Sequence, residues 1–350
     1  MSEQEWKPTV NPWLMILPVM FATFMYALDE TVANVALPHI AGSYSVSSQE
    51  SIWVLTSYLM ASSIVIPMID FLCKFFGRKN LFMLAVFIFT LASFLCGISN
   101  SIGMIVLARA MQGFGGGCLM PMAQAVTMES FTGEARNKAM AVFGMVVVVA
   151  PILGPIVGGW ITENWSWPYI FFINVPVGFL CIALAKKFLQ DPPYARKQAG
   201  THLDKFGFLW LCVWLVPLQI VFDKGNDADW FNAPWICWLS AIALTGAVLF
   251  FYSQVKGKNP LVKLDVLKDT NYLFGTGMLI LVNAVLLASL AILPQMLQYM
   301  MGYDSFLSGL AIAPRGLGCL TATIIFGSLG GRISYRTYGL IGLCCLATGG

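Results

Sequence analysis

Two adjacent acids, Asp29 and Glu30, stand inside the first apolar stretch of the chain, in the run LDETVANVALP from Leu28 to Pro38. An ionised acid in a membrane helix costs roughly 2.5–3.5 kcal/mol on insertion scales, so such residues face a bundle interior and act on ions or substrates. A matching cation, Arg109, lies in the fourth apolar stretch, in IVLARAMQGFGGG. Arg109 is eight residues in from Ser101, and Asp29 is eight residues in from Leu37. At ~1.5 Å rise per residue both sit ~12 Å inside the same membrane face, where they can pair directly or through water. The arginine stays charged there, whereas a carboxylate is able to titrate. We read the pair as a proton-linked switch, with a static structural ion pair as the alternative. Glu30 is turned about 100° round the helix from Asp29, so the two acids cannot share one partner. It either faces the cavity, to bind protons or a cationic substrate, or pairs elsewhere.

Three further patterns stand out. VVVVAPILGPIVGGW, from Val146 to Trp160, repeats Pro151 and Pro155 at four-residue spacing, as it does Gly154 and Gly158, with Gly159 adjoining. The glycines form a shallow strip on which another helix can approach closely, and the prolines permit bending. IDFLCKFFGRK, from Ile69 to Lys79, reads as a tight basic turn ending in Gly77, Arg78 and Lys79, which a cytoplasmic anchor explains by itself. QYMMGYDSFLSGLAIAPRGLG, from Gln298 to Gly318, sets Pro314 and Arg315 in a helix. There Arg315 serves either coupling or packing. Nine cysteines form no CxxC pair and read as small packing residues, and His39 and His202 are too few and too far apart for a metal site. With no clustered nucleophile, metal ligands or phosphate loop, the expectation is a protein that is not an enzyme and holds no cofactor or metal.

These residues need helices that cross a membrane. The chain of 350 residues is 58% hydrophobic and 11% charged, under half the charge of a soluble domain. Net charge is +3 and no basic run suggests nucleic acid. The opening MSEQEWKPTV is acidic and polar, so no cleavable signal peptide is expected and the first apolar segment remains a span. Stretches of about 20 apolar residues fall near Trp13–Leu37, Ser51–Phe71, Leu81–Ser99, Ser101–Met122, Lys138–Ile161, Pro168–Phe188, Phe206–Phe222, Pro234–Gln254, Asn271–Tyr299 and Ser305–Leu329. An eleventh begins near Tyr338, and the chain is expected to be cut inside it. With a cytoplasmic N-terminus, 17 of the 20 basic residues lie inside and only Lys224 lies outside, which fixes the orientation by the positive-inside rule. The polar stretch QDPPYARKQAGTHLD, from Gln190 to Asp204, is a linker. The expected units are an N-terminal six-helix bundle over 1–189, a linker with two inserted helices over 190–255, and the start of a C-terminal bundle over 256–350.

The combined motifs resemble those of the fourteen-span drug:proton antiporters in the major facilitator superfamily, the EmrB/QacA family. LDETVANVALP is similar to that family's first-helix motif, LARAMQGFGGG to its fourth-helix arginine motif, VAPILGPIVGGW to its fifth-helix antiporter motif and FFINVPVG to the start of helix six. FDKGNDADWF, from Phe222 to Phe231, resembles the outer loop between the inserted helices, and GYDSFLSGLAIAPRGLG extends the match into the second half. The resemblance implies an all-α integral membrane protein with two six-helix bundles around a midplane cavity, worked by alternating access. It also implies export of hydrophobic drugs in exchange for protons across an inner membrane, with a periplasmic membrane-fusion protein and an outer-membrane channel as partners. A narrow exporter of one metabolite or siderophore is the alternative. Asp29 takes the family's acid position, Arg109 its arginine, and Gly154, Pro155, Gly158 and Gly159 its antiporter motif. The chain departs from the pattern at Asp70, Lys74 and Phe75, which implies that the usual charge latch of the basic loop is lost. It departs again at Ala150, and at Glu30, which alters the expected substrate charge preference. By comparison with fourteen spans, about three further helices are expected beyond the eleventh.

Overall fold

A computed structural model describes residues 8–196, 204–257, 260–262, 264–329, 337, 339, 341–342 and 344. The described residues are almost wholly helical. In order the helices are α1 (Pro12–Tyr44), α2 (Ser48–Ser51), α3 (Trp53–Val65), α4 (Ile69–Phe76), α5 (Arg78–Gly97), α6 (Ile102–Ser130) and α7 (Gly133–Asn164). They continue as α8 (Tyr169–Phe172), α9 (Asn174–Phe188), α10 (Lys205–Lys224), α11 (Pro234–Lys256), α12 (Thr270–Tyr299) and α13 (Ser305–Leu329). Among the described residues, eight segments are long and apolar enough to cross a membrane, and they coincide with the first eight spans expected from sequence. Helices α12 and α13 occupy the ninth and tenth. The expected eleventh span, with His202, Lys197, Arg332 and Arg336, lies largely or wholly outside the described residues.

Local chemistry sets the helix starts. Asn11 accepts the amide of Trp13 just ahead of Pro12, whose missing N–H is no loss at a first turn. Ser47 and Glu50 form a reciprocal capping box at α2, and Ser101, Asp204 and Asp269 cap α6, α10 and α12. Several boundaries differ from those read in the sequence. α1 runs to Tyr44 rather than Leu37, because Pro38 interrupts one hydrogen bond without ending the helix. Tyr44 Oη donates to the Ser99 carbonyl at 3.0 Å and ties the C-terminal end of α1 to the turn after α5. The basic stretch Ile69–Lys79 is not a tight turn throughout. Ile69–Phe76 is a helix, and the chain reverses only at Gly77, whose φ of 81° a side chain would disfavour.

α1 lies at the centre of the first bundle, against α6, α7 and α9, while α3 and α5 flank α6. Two apolar clusters fill the bundle. One is built on Val19, Phe82, Phe89 and Leu119, the other on Val32, Ala36, Ile105 and Phe171. In α6, Gly113 lies against the Tyr58 carbonyl so closely that an added Cβ would overlap it, which brings the two backbones together beside Arg109. α10 and α11 pack on one another, and α13 packs along α7.

Candidate functional site

Between the two apolar clusters sits a buried polar network drawn from six helices. Arg109 Nη1 of α6 donates to Asp29 Oδ2 of α1 at 2.6 Å and to Gln112 Oε1 at 2.8 Å. Gln112, one turn from Arg109, donates through Nε2 to Asp29 Oδ1 at 2.8 Å and to Ser93 Oγ of α5 at 3.0 Å. Asn174, at the start of α9, donates to the same Asp29 oxygen at 2.7 Å and to Ser93 at 2.9 Å. Ser93 Oγ in turn donates to the Phe171 carbonyl at 3.1 Å. An ionised carboxylate only accepts, so both amide nitrogens must point at Asp29. Arg109 Nε donates to the Val54 carbonyl of α3 at 3.1 Å, and the guanidinium lies 4.2 Å above the Tyr58 ring. Arg109, Gln112 and Ser93 are fully buried, and Asp29 is 3% exposed.

The sequence-level pairing of Asp29 with Arg109 is thus direct, and the two charges cancel within the network. Taking both ions out of water costs several kcal/mol each, recovered only by close geometry and by hydrogen bonds to the remaining lone pairs. Asp29 receives three donors and Arg109 has two acceptors beside Asp29, while among the described residues the buried Nη2 of Arg109 has no hydrogen-bond partner. The network adds Gln112, Ser93, Asn174, Val54 and Tyr58, none of which sequence reasoning singled out. Gln112 and Asn174 did lie inside quoted motifs, as a polar amide at helical spacing from Arg109 and as the one polar side chain in FFINVPVG.

Glu30 does not join the network. It is half-buried and makes no hydrogen bond or ion pair among the described residues, although Asp29 and Arg109 act on it electrostatically. The glycine and proline strip of α7 lies on the neighbouring part of α1. A Cβ on Gly154 would overlap Thr31 Oγ1, and one on Gly158 would come 3.0 Å from Val32. The opposite side of the strip meets α13, where a Cβ on Gly309 would fall 2.7 Å from the Pro155 backbone. Helix α7 is therefore held between α1 and α13, with Pro151 half-buried and Gly159 buried. Pro314 on α13 is exposed; the Arg315 side chain lies outside the described residues.

In the basic segment, Lys74 pairs with Asp70 along α4 at 2.6 Å. Arg78 instead forks onto Glu129 at the end of α6 with contacts of 2.5 and 3.1 Å. A charged fastening between α5 and α6 thus exists despite the departures at Lys74 and Phe75. Lys79 donates its amide to Asp191 at 2.7 Å and its ammonium to the Lys186 carbonyl at 2.8 Å. Burial raises the Asp191 carboxyl above its ordinary range, against the pull of the Lys79 amide and Arg78. A cavity of about 580 Å³ opens beside this segment, with Gly77 and Lys79 in its wall.

The sequence and the fold both have counterparts among known proteins. Residues 19–350 match the Major Facilitator Superfamily. The chain belongs to that superfamily. It is 35% identical over 325 residues to the multidrug export protein EmrB of Haemophilus influenzae, which covers 92% of this chain and 63% of that one. It is 38% identical over 320 residues to the fatty acid resistance protein FarB of Neisseria gonorrhoeae, covering 91% and 63%. With EmrB of Escherichia coli K12 the identity is 34% over 335 residues, covering 95% and 65%. The chain therefore spans just under two thirds of the length of these relatives. Among solved structures, a peptide transporter POT in complex with sulfate superposes with a TM-score of 0.63 at 12% identity, covering 94% of this chain and 72% of that one. That likeness carries the fold. Membership makes this a multi-pass membrane protein of a transporter superfamily, all-α in architecture.

Proposed function

We propose that the chain forms the larger part of a proton-driven multidrug efflux antiporter, which exports hydrophobic drugs across the inner membrane by alternating access. The observation that carries this reading is the buried Asp29–Arg109 pair, closed by Gln112, Ser93 and Asn174. Adding a proton to Asp29 removes its charge and with it the attraction to Arg109. Arg109 keeps Gln112 Oε1 and the Val54 carbonyl as acceptors, while the hold of α6 on α1 drops from an ion pair to the neutral hydrogen bond from Gln112. Losing the proton restores the pair. Because α1 also bears on the α7 strip, and α7 on α13, a shift of α1 reaches the contact between the two halves. Glu30, beside this path and without an ion-pair partner among the described residues, is assigned to proton coupling with Asp29 and Arg109. Pro151, Gly154, Pro155, Gly158 and Gly159 form the surface on which the helices move. Gly77, Arg78 and Lys79 fasten the cytoplasmic ends, and Pro314 and Arg315 serve the second half.

The same reading divides the chain into the bundle of 1–189, the linker and inserted helices of 190–255, and the first part of a second bundle over 256–350. It gives a cytoplasmic N-terminus, consistent with the cluster of basic side chains at the Gly77 end. It also gives a membrane-fusion protein and an outer-membrane channel as partners, by analogy with EmrB. A second reading, a narrow exporter whose substrate is an apolar acid, is favoured by the 38% identity to the fatty acid resistance protein. Efflux from vesicles holding the full-length protein separates the two. Accelerated efflux of several unrelated drugs under an imposed proton gradient supports the first. Efflux of long-chain fatty acid alone supports the second, and none of either rejects both.

A further inference from the structure

The outer-loop segment FDKGNDADWF carries the single basic residue expected outside the membrane, and the coupling mechanism above does not use it. In the structure its first residues, at the outer end of α10, grip α2 and α3. Asp223 Oδ1 accepts from Thr56 Oγ1 at 3.0 Å, and Asp227 Oδ1 accepts from Gln49 Nε2 at 3.1 Å. Lys224 donates to the Gln49 carbonyl at 3.3 Å, lies 3.6 Å from Asp227 and 3.9 Å from Asp223, and sits 5.7 Å from the Trp53 ring. Thr56 is buried, and the Asp223 side chain is 9% exposed. Outside its own hairpin, α10 bears chiefly on α3.

The part of α3 that is gripped is the part that meets Arg109. Val54, whose carbonyl accepts Arg109 Nε, lies between the two gripped residues Trp53 and Thr56, and Tyr58, under the guanidinium, follows half a turn on. Ile52 supplies no side-chain cap and joins α3 to the four-residue α2 through a helical backbone, so the hold on Gln49 and on Thr56 bears on one short continuous stretch. We propose that Asp223, with Lys224 and Asp227, forms a brace that holds the outer end of α3 against Arg109, which makes Asp223 a positioning residue for proton coupling. The inserted helix pair thereby rides with the first bundle. The coupling part of this assignment rests on the function proposed above; the hold on α3 does not.

The test uses the full-length protein with Asp223→Ala and Asp223→Asn, the second of which keeps an oxygen to accept from Thr56. In the Ala variant, amide hydrogen exchange of residues 53–58 is expected to rise roughly tenfold. Drug–proton exchange per folded molecule is expected to fall about threefold or more in turnover with the drug KM unchanged. The Asn variant is expected to restore both. Unchanged amide exchange overturns the brace, and so does a loosened α3 with normal turnover. An Asn variant as impaired as the Ala variant overturns it too. If the wild type moves no protons with any drug, the coupling reading fails, and the amide exchange alone then decides whether the brace holds α3.

Discussion

Asn174 offers a measurement of the charge on Asp29 that needs no transport assay. Its amide donates to Asp29 Oδ1 at 2.7 Å and to Ser93 at 2.9 Å. Asn174→Ala removes both bonds, whereas Asp29→Asn removes the charge, leaves one oxygen to accept from Asn174 and puts an NH2 in place of the oxygen that faces Arg109. A cycle of the two single variants and the double variant therefore isolates the charge-assisted portion of one bond. Neutral hydrogen bonds between membrane helices average ~0.6 kcal/mol, and bonds to charged groups run to ~1.5–3 kcal/mol. The difference predicts a coupling of about 1–2 kcal/mol, on the order of a tenfold change in the unfolding equilibrium. Denaturant unfolding of the full-length protein in micelles at neutral pH reads it. A coupling within about 0.3 kcal/mol of zero, the scatter of independent sites, would refute an ionised Asp29 held by Asn174.

Other consequences follow from the packing and from the fastening at Arg78. Gly154→Leu forces a side chain into Thr31 and should cost about 1–3 kcal/mol or more, abolishing efflux. Gly103→Ala, at a position with open space around it, should leave efflux and the thermal midpoint unchanged. Glu129→Gln should lower the thermal midpoint of the full-length protein, since it removes the charge facing the Arg78 fork; an unchanged midpoint would show that the fork is not stabilising. Asp191 binds its proton more tightly in the folded than in the unfolded chain, so its contribution to stability declines as pH rises from 3.8 through the raised folded value. Asp191→Asn keeps an acceptor for the Lys79 amide and should flatten that part of a stability series from acid to neutral pH. An unaltered slope would assign it to other groups.

Much of the fold was legible because membrane helices advertise themselves by length and apolarity, which need no partner to be recognised. The Asp29–Arg109 pair was legible for a related reason: charge at membrane depth is costly enough to demand a counter-charge. The depth match used Leu37 as the end of α1; the helix continues to Tyr44, and the pair forms all the same at 2.6 Å. The amide donors were not legible. Gln112 and Asn174 carry no charge, so their placement depends on how α6 and α9 rotate about their axes, which is set by packing against Ser93 and Phe171. The segment around Lys74 misled for the opposite reason. Its basic residues read as a loop, but Lys74 lies in the short helix α4, Arg78 and Lys79 open α5, and only Gly77 breaks the run. The brace at Asp223 joins residues more than 160 positions apart, and no local pattern announces such a contact.

The most direct test of the central claim is proton release on drug binding, measured with the full-length protein in weakly buffered detergent solution, wild type beside Asp29→Asn. A hydrophobic drug is expected to drive protons out of the wild type and none out of the variant, with both proteins folded and binding drug. Release of the same size from Asp29→Asn would place the exchanged proton on another acid, Glu30 first, and would contradict the assignment of coupling to the Asp29–Arg109 pair.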